Sequence, residues 1–229
     1  MHNKRRQADQ ISARSSLQFA CCAGRQMHME LSMSEQVYHE RALEVEVYPH
    51  LKTALELVDP LLPKVAVDVG CGAGRDALFL VGRGYTVHAF DKSEAAIARL
   101  MELGREGSSE RLFPQVCSFD NFEYPKSSLV NACSSLFFCN PKLFSRTWDG
   151  ISQSLVSGGV FCGHFMGPDD SWAKLGRGDL TIHTQSALEE LFGGSYEIID
   201  VCEHNSEGMT LIGRKKHWHT YSIVAQKII

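Results

Sequence analysis

A short apolar run followed by three closely spaced glycines constrains the fold of this chain more than any other feature. Residues 65–69 form the run, and Gly70, Gly72 and Gly74 follow with one residue between each pair. Glycines at this density permit a tight turn and let the backbone approach a ligand closely. Residues 75–81 then have the composition of a helix. The segment therefore predicts a buried strand that turns directly into a helix, the first unit of an α/β fold.

The rest of the chain alternates between strand-like and helix-like segments. Further strands are predicted at residues 85–90, 112–117, within 129–138, and at 160–165, 196–202 and 218–226. Helices are predicted between them at residues 93–103, 141–155 and 184–192. Strands that alternate with helices predict a mostly parallel sheet. The last two strands lack a helix between them, and their connection over residues 204–217 predicts an antiparallel hairpin.

The first 26 residues differ in composition from the rest of the chain. Residues 1–26 carry several basic side chains against the single acid Asp9, and they show no helical or strand period. We interpret them as a tail, and we expect one domain over residues 27–229. At the start of that domain, apolar residues recur every three or four positions, at Leu43, Val47, Leu51, Leu55 and Val58. This spacing predicts one helix over residues 34–58.

Composition excludes several classes of protein. The net charge of -4 argues against a general nucleic-acid surface, and we interpret the basic cluster at residues 213–216 as part of a solvated hairpin. The apolar runs fall short of the roughly 18 residues that a membrane span needs. The eight cysteines lack Cys-x-x-Cys spacing, and several lie in apolar, strand-like runs. We therefore expect reduced thiols and a cytoplasmic location.

Two acids mark the predicted carboxyl edge of the sheet, where ligands of open α/β sheets bind. Asp68 lies two residues before the first glycine, and Asp91 ends the second predicted strand, 19 residues after Gly72. A carboxylate at the position of Asp91 can accept both hydroxyls of a ribose, so the pair predicts a nucleoside-containing cofactor.

The spacing of the glycines indicates which cofactor this is. It is GxGxG followed by Arg75, whereas a dinucleotide site has GxGxxG. S-adenosylmethionine (SAM) carries an ammonium and a sulfonium group and no pyrophosphate, and Asp68 suits such positive groups. The sequence therefore favours SAM, with an NAD(P) site and a glycine turn without a ligand as the alternatives.

The stretch from Asp68 to Asp76 resembles the first motif of class I SAM-dependent methyltransferases, and Asp91 resembles their second acidic motif. The resemblance extends from about Leu51 to the carboxyl terminus. It implies a three-layer αβα sandwich with seven strands in the order 3-2-1-4-5-7-6 and an antiparallel last strand. It also places Phe119 and Asp120 near the adenine. The cofactor-binding residues that it implies are Asp68, Gly70, Cys71, Gly72, Gly74, Asp91, Lys92, Phe119, Asp120 and Ser134.

The carboxyl-terminal half loosely resembles small bacterial tellurite-resistance and thiopurine-methyltransferase-like proteins. The similar segments are residues 164–172, 180–183 and 216–219, together with Glu203. The resemblance implies an enzyme that methylates a small molecule by in-line displacement, with a thiol or a chalcogen oxyanion as the acceptor.

Other functions stay open at this point. Residues 133–141 lack the acidic-Pro-Pro-aromatic tetrad of amino-methylating enzymes, which argues against an exocyclic amine as the acceptor. A methyltransferase of tRNA or protein and a non-catalytic SAM-binding module remain alternatives. We expect a monomer or a homodimer.

Three histidines are candidate catalytic residues: His183, His217 and His219. Each has three interpretations, namely contact with substrate or action as a base, binding of a metal, or a structural hydrogen bond. A His-x-His pair supplies two metal ligands and assures no third, so we predict no metal site. The fifth and sixth strands end, and the seventh begins, at one rim of the sheet. The candidates for substrate binding there are Trp172, Glu203 and Trp218.

Overall fold

The computed structural model describes residues 35–107 and 110–229. The chain divides into two compact units between Tyr38 and His39. Apart from residues 35–38, the features below lie in the second unit. The predicted tail at residues 1–26 lies outside the described residues. Within those described, no helix is both long and apolar enough to cross a lipid bilayer.

The described residues form helices and strands in alternation. Helix α1 covers residues 35–44. The other helices are α2 (Pro49–Leu57), α3 (Arg75–Gly82), α4 (Glu94–Glu106), α5 (Phe144–Ser154), α6 (Ser171–Lys174) and α7 (Gln185–Phe192), with a 3-10 turn at Leu136–Phe138. The strands are β1 (Val65–Val69), β2 (Thr86–Asp91), β3 (Leu112–Val116), β4 (Ser127–Ala132), β5 (Leu155–Met166), β6 (Tyr196–Met209) and β7 (Lys215–Lys227).

The strands form one seven-stranded sheet in the order β3-β2-β1-β4-β5-β7-β6. Strands β1 to β5 are parallel, whereas β7 is antiparallel to both of its neighbours. The expected order and the reversed last strand are confirmed. The carboxyl ends of β1, β2, β4 and β5 therefore meet at one edge of the sheet.

Helices cover both faces of the sheet, because alternate residues of each strand point to opposite faces. On one face, Leu51 of α2 and Leu80 of α3 pack in a core cluster with Leu129 of β4. On the other face, Trp148 of α5 and Phe192 of α7 pack in a second cluster. The expected three-layer sandwich follows from this arrangement.

The prediction of one helix over residues 34–58 is wrong for the part of that range that the structure describes. Helix α1 ends at residue 44, and α2 begins at Pro49. The residue before a proline is pushed out of the helical region by a clash with the proline ring. Tyr48 accordingly has an extended backbone, with φ -63° and ψ 144°. The apolar spacing was real, but Pro49 divides it between two helices.

The final hairpin is longer than the sequence indicates. Strand β6 continues to Met209 and β7 begins at Lys215, and these two residues pair at the tip. The connection is therefore residues 210–214, and the prediction of a loop over residues 204–217 is wrong. Nearly all of β6 is exposed. Its outer part is therefore polar, and it lacks the alternation of apolar and polar residues by which a strand is recognised in a sequence.

Candidate functional site

The glycine turn between β1 and α3 has a backbone that side chains would strain. Gly70, Gly72 and Gly74 have φ values of +68°, +53° and +95°. A Cβ atom at Gly70 would lie 2.6 Å from Cβ of Ser135, whereas one at Gly72 would meet, among the described residues, only His39, 3.6 Å away. The turn is thus packed closely on the loop after β4 at Gly70 and is more open at Gly72.

Asp91 holds this turn in place from the end of β2. Its Oδ2 atom accepts a hydrogen bond from the Gly72 amide at 2.9 Å, and its Oδ1 atom accepts one from the Ser93 amide at 2.9 Å. A carboxylate offers about four lone-pair sites, so half of its accepting capacity is left for a ligand. Asp91 is half-buried and its neighbour Lys92 is exposed.

Asp68 is buried beneath the turn with one oxygen unpaired. Its Oδ1 atom accepts a hydrogen bond from Nδ2 of Asn131 at 2.7 Å, while Oδ2 has no hydrogen-bond partner within the described residues. Burial, with the charge of Asp76 as the next cause, raises the pKa of Asp68 well above its ordinary value. An unpaired buried acceptor costs about 1–3 kcal/mol, so a cationic donor at this position would stabilise the ionised carboxylate.

Asn131 connects Asp68 to the start of α3. Its Nδ2 atom also donates to Oδ2 of Asp76 at 3.2 Å. The guanidinium of Arg75 donates to both oxygens of Asp76, at 2.7 and 3.0 Å, and lies 4.6 Å from the centroid of the Tyr48 ring. The first residues of α2 and α3 are thereby joined around the base of the glycine turn.

An aromatic side chain borders the turn on the side of β3. A Cβ atom at Gly70 would lie 3.5 Å from Cε1 of Phe119, and the Tyr124 hydroxyl donates to the Phe119 carbonyl at 2.9 Å. Phe119 and Asp120 are both half-buried. Phe119 therefore lies next to the glycine turn, where the resemblance places the adenine.

The loop after β4 contributes two serines in different ways. Ser134 is the one described non-glycine residue with a left-handed backbone, φ +56°, and its amide donates to Nδ1 of His164 at 3.0 Å. Ser135, which the sequence analysis missed, faces Gly70, and its buried Oγ atom has no partner within the described residues. Only its adjacency to Ser134 marked it in the sequence.

Cys71 lies inside the motif but is not a reactive thiol. It is half-buried, and desolvation, with the charges of Asp68 and Asp91 as further causes, raises its pKa well above the ordinary value. A protonated thiol is a poor nucleophile. All six cysteines within the described residues are unpaired.

Two of the substrate-binding candidates, Trp172 and Trp218, pack around a buried ion pair. Lys216 donates to both carboxylate oxygens of Asp170, and both side chains are almost fully buried. Its ammonium lies 4.3 Å from the ring of Trp172 and 3.9 Å from that of Trp218. The interpretation of residues 213–216 as a solvated cluster is therefore wrong for Lys216, because Asp170 and the two tryptophans enclose it.

His219 is held on both ring nitrogens by protein groups. Its Nδ1 atom accepts from the Asp169 amide at 2.9 Å, while Nε2 lies 2.9 Å from Oε1 of Glu203 and 3.0 Å from the Tyr221 hydroxyl. Its carbonyl accepts from the Gly167 amide at 2.7 Å. The structure thus brings His219 and Glu203 together, in a position that fastens the loop after β5 onto β7.

The other two candidate histidines lie in different surroundings. His217 pairs across the hairpin with Oε1 of Glu207 at 2.9 Å and with Oδ1 of Asn205 at 2.7 Å. His183 is buried, with ring centroids 4.6 Å from Phe144 and 5.3 Å from Phe165. Burial lowers the pKa of His183 to about 4, so its imidazole is neutral at physiological pH.

Comparison with known proteins decides the family. The model of a family described as tellurite resistance protein TehB matches residues 31–160, more than half of the chain. The chain belongs to the TehB family. The fold and the glycine turn described above are those of SAM-dependent methyltransferases.

Solved structures agree with the TehB assignment at the level of the fold. TehB from Haemophilus influenzae superimposes with a TM-score of 0.65 at 17% identity, over 79% of this chain and 62% of that one. The chain therefore spans less than two thirds of that relative. The 1,6-didemethyltoxoflavin-N1-methyltransferase of Burkholderia thailandensis, solved with S-adenosylhomocysteine (SAH), has a TM-score of 0.57 at 19% identity, over 79% of each chain.

One curated protein matches a short segment. Hemagglutinin 1 of Eikenella corrodens is 44% identical over 48 residues, which are 21% of this chain and 16% of that protein. A segment of this length indicates local similarity only.

Proposed function

We propose that this TehB-family protein binds SAM and transfers its methyl group to a small-molecule acceptor. The observation that carries the proposal is the oxygen of buried Asp68 that has no hydrogen-bond partner within residues 35–107 and 110–229, beneath a glycine turn that Asp91 holds. A carboxyl group at that depth suits an ammonium, whose positive charge would favour its ionised form, and the remaining lone pairs of Asp91 suit two ribose hydroxyls. Phe119 offers an apolar surface beside Gly70 for the adenine.

SAM supplies a methyl group on a sulfonium that is already activated as a leaving group. The protein therefore has to orient the acceptor and exclude water. The buried apolar cluster of Phe137, Met166 and Leu180, with half-buried Trp172 packed against it, supports the loops after β4 and β5 that would face the acceptor.

No base is needed for a soft nucleophile. A thiolate or a chalcogen oxyanion attacks without proton removal, whereas an oxygen or nitrogen nucleophile would use a neutral imidazole. His183, buried and neutral, is our candidate for that role, and its Nδ1 atom lacks a partner among the described residues.

We favour a thiol or a chalcogen oxyanion as the acceptor. The family description, tellurite resistance, supports this class. The burial of Lys216 removes one cation from the basic hairpin cluster, which favours a small molecule over nucleic acid. We expect the protein to act in the cytoplasm, where its thiols stay reduced, as a monomer or a homodimer.

The test is the formation of SAH when SAM is mixed with tellurite, selenite or a panel of thiols. We expect turnover by the wild type with at least one acceptor. We expect no turnover by Asp68→Asn. The asparagine keeps the hydrogen bond from Asn131, but it directs its NH2 group, a donor, toward the ammonium of SAM. Asp59→Asn is the matched control, because exposed Asp59 only caps a turn through the Leu61 amide. Tight SAH binding without turnover on any acceptor would identify a non-catalytic module instead.

A further inference from the structure

Three metal-ligating side chains meet beside the cofactor site, on the face of the sheet that α2 covers. They are His50 at the start of α2, Cys133 after β4, and His164 near the end of β5. One donor atom from each lies within 4.8 Å of the other two. Both histidines are 7% exposed, and Cys133 is half-buried.

The topology explains why these residues meet. Asn131 and Cys162 are partners in neighbouring parallel strands, and Cys133 and His164 each lie two residues further along. Since side chains alternate along a strand, all four point to the same face. The first turn of α2 crosses that face, and Nε2 of His50 lies 2.9 Å from Sγ of Cys133.

The protonation states of the two histidines suit a cation. Burial lowers the pKa of His50 to about 4 and that of His164 well below its ordinary value, so both imidazoles are neutral. The charges of Asp76 and Asp200 favour positive charge at His50, and Arg75 opposes it. Metal ligation requires neutral histidine and a deprotonated thiol. Burial, with the interaction with Cys162 as the next cause, raises the pKa of the Cys133 thiol well above its ordinary value, so the ion itself has to displace that proton.

We propose that His50, Cys133 and His164 bind one borderline or soft transition-metal ion, with Zn²⁺ and Cu⁺ as the ions that this donor set fits. Two imidazoles and a thiolate are the donors these ions prefer. Tetrahedral zinc with its usual bond lengths separates its ligand atoms by about 3.5 Å. Because the donor atoms lie within 4.8 Å of one another, no pair of them has to approach by more than about 1.3 Å. Three protein ligands leave a fourth position for water or a small ligand.

Metal binding competes with hydrogen bonds that the three side chains make in the metal-free protein, including the one between Nε2 of His50 and Sγ of Cys133. The Cys133 thiol donates to Oδ1 of Asn131 at 2.7 Å, and its proton leaves when the thiolate binds. The Ser134 amide donates to Nδ1 of His164, which leaves the imidazole proton on Nε2 and the lone pair on Nδ1. Coordination through Nδ1 displaces that amide, so the ion and the present hydrogen bonds exclude each other.

The test is titration of the metal-free full-length chain with Co²⁺, a spectroscopic substitute for Zn²⁺, followed by thiolate-to-cobalt charge-transfer absorption. We expect a band that saturates at one ion per chain and is competed away by Zn²⁺. Cys133→Ser should abolish this band. His50→Gln and His164→Gln should each weaken cobalt binding by about 100-fold or more, which exceeds the usual effect of removing a residue that only hydrogen-bonds to a metal ligand. Cys117→Ser, which removes a half-buried thiol outside the cluster, is the control.

Two further measurements make the result decisive. Circular dichroism establishes that each variant is folded, and Zn²⁺ should raise the unfolding temperature of the wild type but not that of Cys133→Ser. A folded wild type without the band, or a band that survives in Cys133→Ser, would overturn the proposal. SAH calorimetry on metal-free protein tests the proposed function separately.

Discussion

At the scale of single residues, Gly70 meets two separate demands. Its φ of +68° disfavours any side chain, and a Cβ atom would also collide with Ser135. Gly176 has nearly the same φ, +65°, but open space around it. Comparing alanine variants at these two positions therefore separates the energetic cost of backbone strain from that of the steric contact with Ser135.

We expect Gly176→Ala to lower the free energy of unfolding by about 1–2 kcal/mol, the cost of a left-handed side-chain residue. Gly70→Ala should cost more and should also weaken SAH binding, because the loop after β4 must move. Chemical denaturation and calorimetry measure the two effects. Equal losses of stability in the two variants would show that the contact with Ser135 carries no weight.

His183 makes the stability of the protein depend on pH in a defined window. Its folded pKa of about 4 is below the ordinary 6.5, so the unfolded chain binds more protons between these values. Stability contributed by the neutral imidazole is present above pH 6.5 and is lost as the pH falls toward 4. The full shift corresponds to about 3 kcal/mol.

We expect His183→Phe to flatten the decline in unfolding free energy between pH 6.5 and 4, since the aromatic surroundings accept a phenyl ring. Denaturant titrations across that range measure it. His204→Gln is the control, because His204 is exposed. An unchanged slope in His183→Phe would contradict the assignment of this window to His183.

The sequence identified the residues whose roles are local to the glycine turn, and it missed those whose roles depend on distant contacts. Asp68 and Asp91 were predicted because each ends a strand next to the motif. His50 and Ser135 were missed, because their significance comes from neighbours on other elements. The proposed metal ligands likewise come from three separate segments, which only the folded chain brings together.

At the scale of elements, the buried pair Lys216 and Asp170 joins α6 to the start of β7. Asp170 also accepts from the Trp172 amide at 2.9 Å, so it caps α6 as well. Removing one partner of a buried ion pair leaves an uncompensated charge, which typically costs about 3–5 kcal/mol.

We therefore expect Lys216→Met to lower stability by about 3–5 kcal/mol. The double variant Lys216→Met/Asp170→Asn should recover much of this loss, because an asparagine side chain is neutral and its amide oxygen can still cap α6. Thermal and denaturant unfolding of the three proteins give the comparison. If the double variant is as unstable as Lys216→Met alone, packing rather than the buried charge accounts for the loss.

Element types were predictable and several element ends were not. Strands β1 and β2 bury apolar residues, and their positions were predicted to within a residue, whereas β4 begins at Ser127, two residues before the predicted range. The start of α2 depends on Pro49 overriding a continuous apolar spacing. The outer half of the β6–β7 hairpin is exposed and polar. Hydrogen bonds between the two strands define it as a sheet, and its amino-acid composition does not predict it.

At the scale of the whole molecule, the sheet order explains why the site lies where it does. Neighbouring carboxyl ends bring Asp68, Asp91 and Ser135 to one edge from three different strands. The alternation of elements predicted a parallel sheet, but only the resemblance to a family supplied the order of the strands. The acceptor is the part that neither pattern nor fold determines, because it depends on side chains of loops after β4 and β5.

We propose that this edge of the sheet binds SAM, and calorimetric titration of SAH measures binding there. We expect saturable binding to the wild type and to Asp59→Asn, and a loss of at least about tenfold in Asp91→Asn, equivalent to about 1.4 kcal/mol, because the anionic acceptor for the ribose is gone. Circular dichroism of each variant shows that the fold is retained. Absence of binding to the folded wild type, or equal affinity in Asp91→Asn, would contradict it.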